Sequence, residues 1–167
     1  MGIAKFDKVP YEQFLEDYKK VEDISEELIK SVFVDVQLPT RASKGSAGYD
    51  FRSTRALTIM PGEVAVIPSG VRCRMNEDWV LLLAPRSSLG FKYHMFLTNT
   101  IGVIDSDYHG AKNYGHIMIE IKNTSNKPMP LKIGERFCQG IFVQYGITDD
   151  DKDEGKRTGG MGSTGQH

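Results

Sequence analysis

Residues Asn99 to Gly110 read NTIGVIDSDYHG, and this stretch decides how the rest of the chain is understood. The run from Ile101 to Ile104 is short, apolar and β-branched, the pattern of a buried strand. It breaks directly into Asp105-Ser106-Asp107-Tyr108 and closes on Gly110, which sets polar groups rigidly at a strand end. Asp105 is placed there to act as a general base, with Tyr108 beside it as a wall for a flat or ring-shaped ligand. Taken alone, the same residues also make a hydrophilic hairpin turn in which Asp and Gly do turn chemistry.

Outward from this stretch the β texture continues in both directions. Candidate strands precede it at Val32–Leu38, Ala56–Met60, Val64–Ile67, Val71–Met75, Trp79–Ala84 and Met95–Thr98. Others follow it at Ile117–Lys122, Met129–Ile133 and Phe137–Val143, and Pro61-Gly62 and Ser69-Gly70 mark turns. Many short strands without intervening helices predict an all-β antiparallel barrel or jelly-roll sandwich over residues 32–147. Residues 1–31 read instead as a helical extension. Pro10 suits a first helical turn, and Tyr11, Phe14, Leu15, Tyr18 and Val21 follow at helical spacing. A second helical piece is expected from near Asp23, with Glu26 as its capping partner. Residues 148–167 are acidic and then glycine-rich, a flexible tail unless a ligand orders it.

The totals narrow the class. The chain has 167 residues, 40% hydrophobic and 26% charged, with a net charge of -1, which is ordinary for one globular domain. That balance gives no basic footprint for nucleic acid, so an anionic ligand must be met by a local cluster. Cys73 and Cys138 lie far apart in apolar contexts and read as free buried thiols. Nothing resembles a membrane span or a signal peptide, so a cytoplasmic protein without a membrane partner is expected.

Four further segments carry candidate chemistry. SAGYDF, Ser46 to Phe51, has Gly48 for close backbone approach and Asp50 at a strand start. PRSSLG, Pro85 to Gly90, offers a fork-shaped cation and two hydroxyls, the groups a phosphate chain needs; its alternative is a helix start capped by Ser87 or Ser88. GERFCQG, Gly134 to Gly140, places Gln139 on a strand, and GKRTGGMGSTG, Gly155 to Gly165, mixes glycines with cations and hydroxyls.

Taken in order, these five segments resemble the five motifs of the trimeric deoxyuridine triphosphatase (dUTPase) family, over residues 32–165. The resemblance implies a distorted jelly-roll β-sandwich, a homotrimer with active sites shared between subunits, and Mg²⁺. It also implies hydrolysis of dUTP to dUMP and pyrophosphate by water attack at the α-phosphate. Such an activity keeps uracil out of DNA and supplies dUMP for thymidylate synthesis. By the same resemblance Asp105 activates the water, Tyr108 packs on the deoxyribose and excludes a 2′-hydroxyl, and Asn99 helps to read uracil. Arg86, Ser87 and Ser88 bind phosphate, with Ser87 nearest the bond that breaks, and Gln139 contacts the α-phosphate or its water. Asp50 supports this network and touches the metal only through water. Ser163 and Thr164 close over the γ-phosphate, and Ile104 and Gly162 join the substrate-binding positions.

This sequence departs from the family pattern in three places. Where the tail usually carries an Arg-Gly pair and a Phe, Lys156, Arg157 and Met161 stand here, with Lys156 or Arg157 meeting the γ-phosphate and Met161 covering the uracil face. Ala111 to Gly115 looks like an insertion and is expected as a surface loop. Glu120 in an apolar strand resembles the catalytic glutamate of the related dCTP deaminases, so a deaminase or a bifunctional enzyme is the alternative. The arginine which those enzymes place before the Ile-Asp pair is Val103 here. Glu120 otherwise simply faces outward on an alternating strand whose Ile117, Ile119 and Ile121 face the core.

Overall fold

The computed structural model describes residues 2–152 and 155, so the expectations for Lys156, Arg157, Met161, Gly162, Ser163 and Thr164 lie outside the described residues. In chain order the elements are β1 (Ala4–Lys8), α1 (Tyr11–Lys19), α2 (Glu26–Val34), β2 (Thr40–Arg41), β3 (Tyr49–Arg52), β4 (Leu57–Ile59), β5 (Val64–Pro68) and β6 (Val71–Met75). There follow β7 (Trp79–Pro85), α3 (Ser87–Tyr93), β8 (Phe96–Leu97), β9 (Gly102–Ile104), a 3-10 turn (Ser106–Gly110), β10 (Met118–Lys122), β11 (Met129–Leu131) and β12 (Arg136–Gln144).

The strands form a distorted jelly-roll sandwich. One sheet has the order β2-β3-β12-β7-β9, a second has the order β5-β10-β8, and β1-β6 and β4-β11 add two pairs. Every pairing among them is antiparallel. The core lies between the sheets, where Phe51, Leu81, Leu83 and Phe137 of one meet Ile67, Leu97, Ile119 and Ile121 of the other. Alternation along β10 buries Ile119 and Ile121 and leaves Glu120 exposed, as the two-residue period of a strand requires. At the β5–β6 turn Gly70 adopts φ +72°, and a Cβ there would lie 2.9 Å from the Val36 side chain, so only glycine fits.

Three of the expected local structures are corrected. Val32–Leu38 is no strand: α2 runs through Val34, because Ile29 is buried and Val32 and Phe33 pack against the small core of the helical hairpin. The cap of α2 is Ser25, whose Oγ accepts the Leu28 N–H at 3.4 Å, rather than a box at Asp23 and Glu26. Ser87 and Ser88 do not cap α3; Arg86 occupies that position, and the two serines open the helix.

The stretch 1–31 holds β1 as well as helix. That strand pairs with β6, and Phe6 sets its ring against Tyr49, Phe51 and Phe142 at centroid distances of 5.5, 5.7 and 5.7 Å. The helical hairpin has its own small core of Val9, Phe14, Tyr18 and Ile29. Polar contacts tie it to the β-domain: the Tyr18 hydroxyl donates to Thr54 O at 3.1 Å, and Arg55 Nε lies 2.8 Å from Glu22. Lys8 Nζ donates to the last carbonyls of α2, at Phe33 and Val34, both at 2.9 Å, which suits the negative end of a helix.

Candidate active site

Two clefts hold most of the described residues singled out from the sequence; Asp105 lines neither. The first, about 370 Å³, is lined by Gly48, Asp50, Arg86, Ser87, Ser88 and Gln139. Strand pairing explains the meeting: Gln139 on the central β12 lies opposite Asp50 on β3 and Ala84 on β7. β7 then runs directly into Arg86 and α3, so three distant segments converge on one sheet end. The close approach expected of Gly48 is real, since a Cβ there would fall 2.5 Å from Gln139 Oε1.

Asp50 organises the cations in this cleft. Its side chain is buried, and Oδ1 lies 2.9 Å from Arg86 Nε while Oδ2 accepts from Arg136 Nη1 at 3.1 Å. Two guanidinium groups on one carboxylate keep a net positive charge beside the Ser87 and Ser88 hydroxyls, which suits a polyanion. The first amides of α3 lack acceptors within the helix and add further donors. The sequence motifs do not mark Arg136 as a site residue; its signal is its place in GERFCQG, three residues before Gln139. Gln139, half-buried, turns its amide toward Pro85 O at 3.4 Å.

The second cleft, about 360 Å³, is lined by Asn99, Ile104 and Tyr108 together with Leu83, Val66 and Glu120. Its rim is the tight turn between β8 and β9, where Thr100 N–H donates to Leu97 O at 2.8 Å and Ile101 N–H to Asn99 O at 2.7 Å. Thr100 adopts φ +68°, a conformation that a β-branched residue reaches only under strain. Asp105 is exposed immediately after Ile104 and starts the 3-10 turn, its carbonyl accepting the Tyr108 N–H at 3.2 Å. Tyr108 is 3% exposed, and its hydroxyl donates to His116 O at 2.9 Å and accepts from Asn113 Nδ2 at 2.8 Å.

The expectation of Ala111–Gly115 as a mere surface loop is therefore corrected. Ala111 and Gly115 are buried, and Asn113 holds the Tyr108 hydroxyl. Asn113 and His116 carried no signal in the sequence, because each acts through a fold-back that only the structure brings about. Glu120 is exposed at the cleft wall. The two clefts share no lining residue, so Asn99, Ile104 and Tyr108 are brought together, as are Asp50, Arg86, Ser87, Ser88 and Gln139, but the two sets are not joined within one chain.

Cys73 and Cys138 are free and buried, and burial pushes both thiols up to about 12, which removes them as nucleophiles. Among the described residues no helix is long and apolar enough to cross a membrane.

Such a sandwich, with a cation- and hydroxyl-lined cleft and a separate ring-walled one, falls in the class of jelly-roll nucleotide phosphohydrolases. Sequence comparison narrows the class further. The chain belongs to the dUTPase family, whose model matches residues 35–165. It is 37% identical over 133 residues to the deoxyuridine 5'-triphosphate nucleotidohydrolase of Lactococcus lactis subsp. lactis, covering 78% of this chain and 89% of that one. To the protein of the same name from Paraburkholderia phytofirmans it is 38% identical over 139 residues, covering 78% and 90%. The crystal structure of dUTPase from Streptococcus mutans matches with a TM-score of 0.64 at 32% identity, covering 86% of this chain and 98% of that chain.

Proposed function

We propose that this chain hydrolyses dUTP to dUMP and pyrophosphate by attack of water at the α-phosphate. The observation that carries the reading is the convergence of Asp50, Arg86, Ser87, Ser88 and Gln139 on one cleft in a member of the dUTPase family. Phosphoryl transfer asks little covalent help from a protein; it needs an aligned nucleophile and neutralised charge. Arg86, held by Asp50, and the Ser87 and Ser88 hydroxyls bind the phosphates, and Gln139 orients the α-phosphate or the attacking water. Asp105 takes the proton as water attacks phosphorus, and pyrophosphate leaves from the opposite side. Asn99 and the backbone of its hairpin read the uracil edge, where a wrong base leaves polar groups unpaired. Tyr108 walls the deoxyribose.

Both Asp50 oxygens already face guanidinium groups, and among the described residues no group of three His, Cys, Asp or Glu could cage a metal. That donor set fits Mg²⁺ that would be carried on the triphosphate with much of its water shell, with Asp50 acting on it only through water. When bound, the ion neutralises phosphate charge.

The separation of the two clefts supports a homotrimer in which one chain supplies the Tyr108 cleft and another the Arg86 cleft. The tail of a further chain closes over the triphosphate, Lys156 or Arg157, Ser163 and Thr164 at the γ-phosphate and Met161 and Gly162 at the base. The test is product analysis after incubation with Mg²⁺ and either dUTP or dCTP. dUMP and pyrophosphate from dUTP, with dCTP untouched, is the expected result. Ammonia from dCTP would overturn it in favour of a deaminase using Glu120, and no turnover of either would make the fold a binding module.

A further inference from the structure

The most elaborate buried polar cluster of the described chain lies outside both clefts, where α1 meets the end of the insertion. His116 is 0% exposed, and its Nε2 accepts the Gly70 N–H at 2.9 Å. The ring hydrogen therefore sits on Nδ1 and is donated to Asp17 Oδ2 at 2.8 Å. Asp17, on α1, also accepts from Gln13 at 2.8 Å and from Lys20 at 2.9 Å. The backbone carbonyl of the same His116 accepts from the Tyr108 hydroxyl at 2.9 Å and from Asn113 Nδ2 at 3.2 Å. One residue thus joins the N-terminal helix, by its side chain, to the wall of the second cleft, by its backbone.

The link between them has no slack. Gly115 adopts φ +70°, and a Cβ on it would lie 2.7 Å from His109 Cα and 2.8 Å from Tyr108 O. The chain between Tyr108 and His116 is folded tightly on itself, so a shift of His116 reaches Tyr108 instead of being absorbed. Burying a carboxylate and an imidazole costs desolvation that an apolar pair would avoid, and a fully partnered polar network offers fixed geometry in return.

We propose that the N-terminal helical hairpin is a positioning element for sugar selection: Asp17, by fixing the His116 imidazole, sets the carbonyl that anchors the Tyr108 hydroxyl and hence the width of the Tyr108-walled cleft. Asp17, His116 and Asn113 are positioning residues; none touches the substrate. This rests on the reading of Tyr108 as the deoxyribose wall. In a close-packed wall a small displacement decides whether one extra hydroxyl is admitted, so the substrate that reports the loss is UTP.

The test compares kcat/KM for dUTP and for UTP in the full-length protein. Asp17→Asn replaces a carboxylate taking three donors with an amide that has one accepting oxygen. The expected result is a fall of about tenfold in the dUTP/UTP preference, the worth of one such hydrogen bond, arising from a gain with UTP. A structural role alone would lower both substrates together and leave the ratio unchanged. In a Tyr108→Phe background, Asp17→Asn should leave the ratio where Tyr108→Phe alone sets it, the non-additivity of residues acting in one chain. An unchanged ratio in Asp17→Asn, with Tyr108→Ala lowering it, would overturn the positioning role and leave the sugar wall standing. An unchanged ratio in Tyr108→Ala would remove the sugar wall itself and the inference with it. Should Asp17→Asn not fold, Gln13→Ala, which removes from α1 one donor to Asp17, takes its place: a lowered preference supports the inference, an unchanged one overturns it.

Discussion

Asp105 follows the end of β9 and Asp50 lies within β3, and their surroundings assign the two carboxylates opposite work. Asp105 is exposed beside the ring-walled cleft, where water can reach it, whereas Asp50 is buried between two guanidinium groups. Asp105→Asn is therefore expected to bind dUTP nearly as tightly and to lose turnover by about 10²- to 10⁴-fold, the usual worth of a general base. Comparing the Kd of a non-hydrolysable dUTP analogue with kcat checks this, and an unchanged kcat would remove Asp105 from its role. Asp50→Asn leaves two half-buried cations short of a partner. It should lower kcat/KM for dUTP about tenfold and cost about 1–3 kcal/mol in a urea melt. The sequence displayed each of these acids within its motif. It did not display the pairing of Asp50 with Arg86 and Arg136, which are 36 and 86 positions away, because such pairing is a property of sheet register.

At the scale of elements, most strands were legible because β-branched alternation and turn glycines marked them. β1 was not, since its five residues AKFDK carry charges at three positions and become a strand only by pairing with β6. α2 is capped two residues beyond Asp23; Asp23 and Ser25 both suit a cap, and local sequence does not choose between them. The docking of α1 makes a prediction about pH. Burial by itself would raise the Asp17 carboxyl, but hydrogen bonds from His116, Lys20 and Gln13 outweigh it and hold the group well below the ordinary value of 3.8. A lowered folded-state pKa means that the carboxylate stabilises the fold in full above about pH 4. That contribution is lost as pH falls from there toward the folded value. The stability gap between wild type and Asp17→Asn in urea should accordingly be largest near neutrality and shrink on acidification to pH 3. A gap that stayed constant would mean that the charge on Asp17 contributes nothing.

At the scale of the whole molecule, the five motifs are legible as a family signature, but the division of the four described ones between two clefts is not. Periodicity places residues on strands and says nothing of which sheet end they share. Because the clefts have no residue in common, an assembly with composite sites allows inactive variants to rescue each other. Mixing Asp105→Asn with Ser87→Ala chains under conditions of subunit exchange should recover about a quarter of wild-type activity, the share of sites drawing each cleft from an intact copy. No recovery would place both clefts of a working site in one chain. The central claim, water attacking the α-phosphate of dUTP, is tested most directly by letting the enzyme turn over dUTP in ¹⁸O-enriched water and locating the label by mass spectrometry. One ¹⁸O in dUMP and none in pyrophosphate is the predicted result; label in pyrophosphate would contradict it.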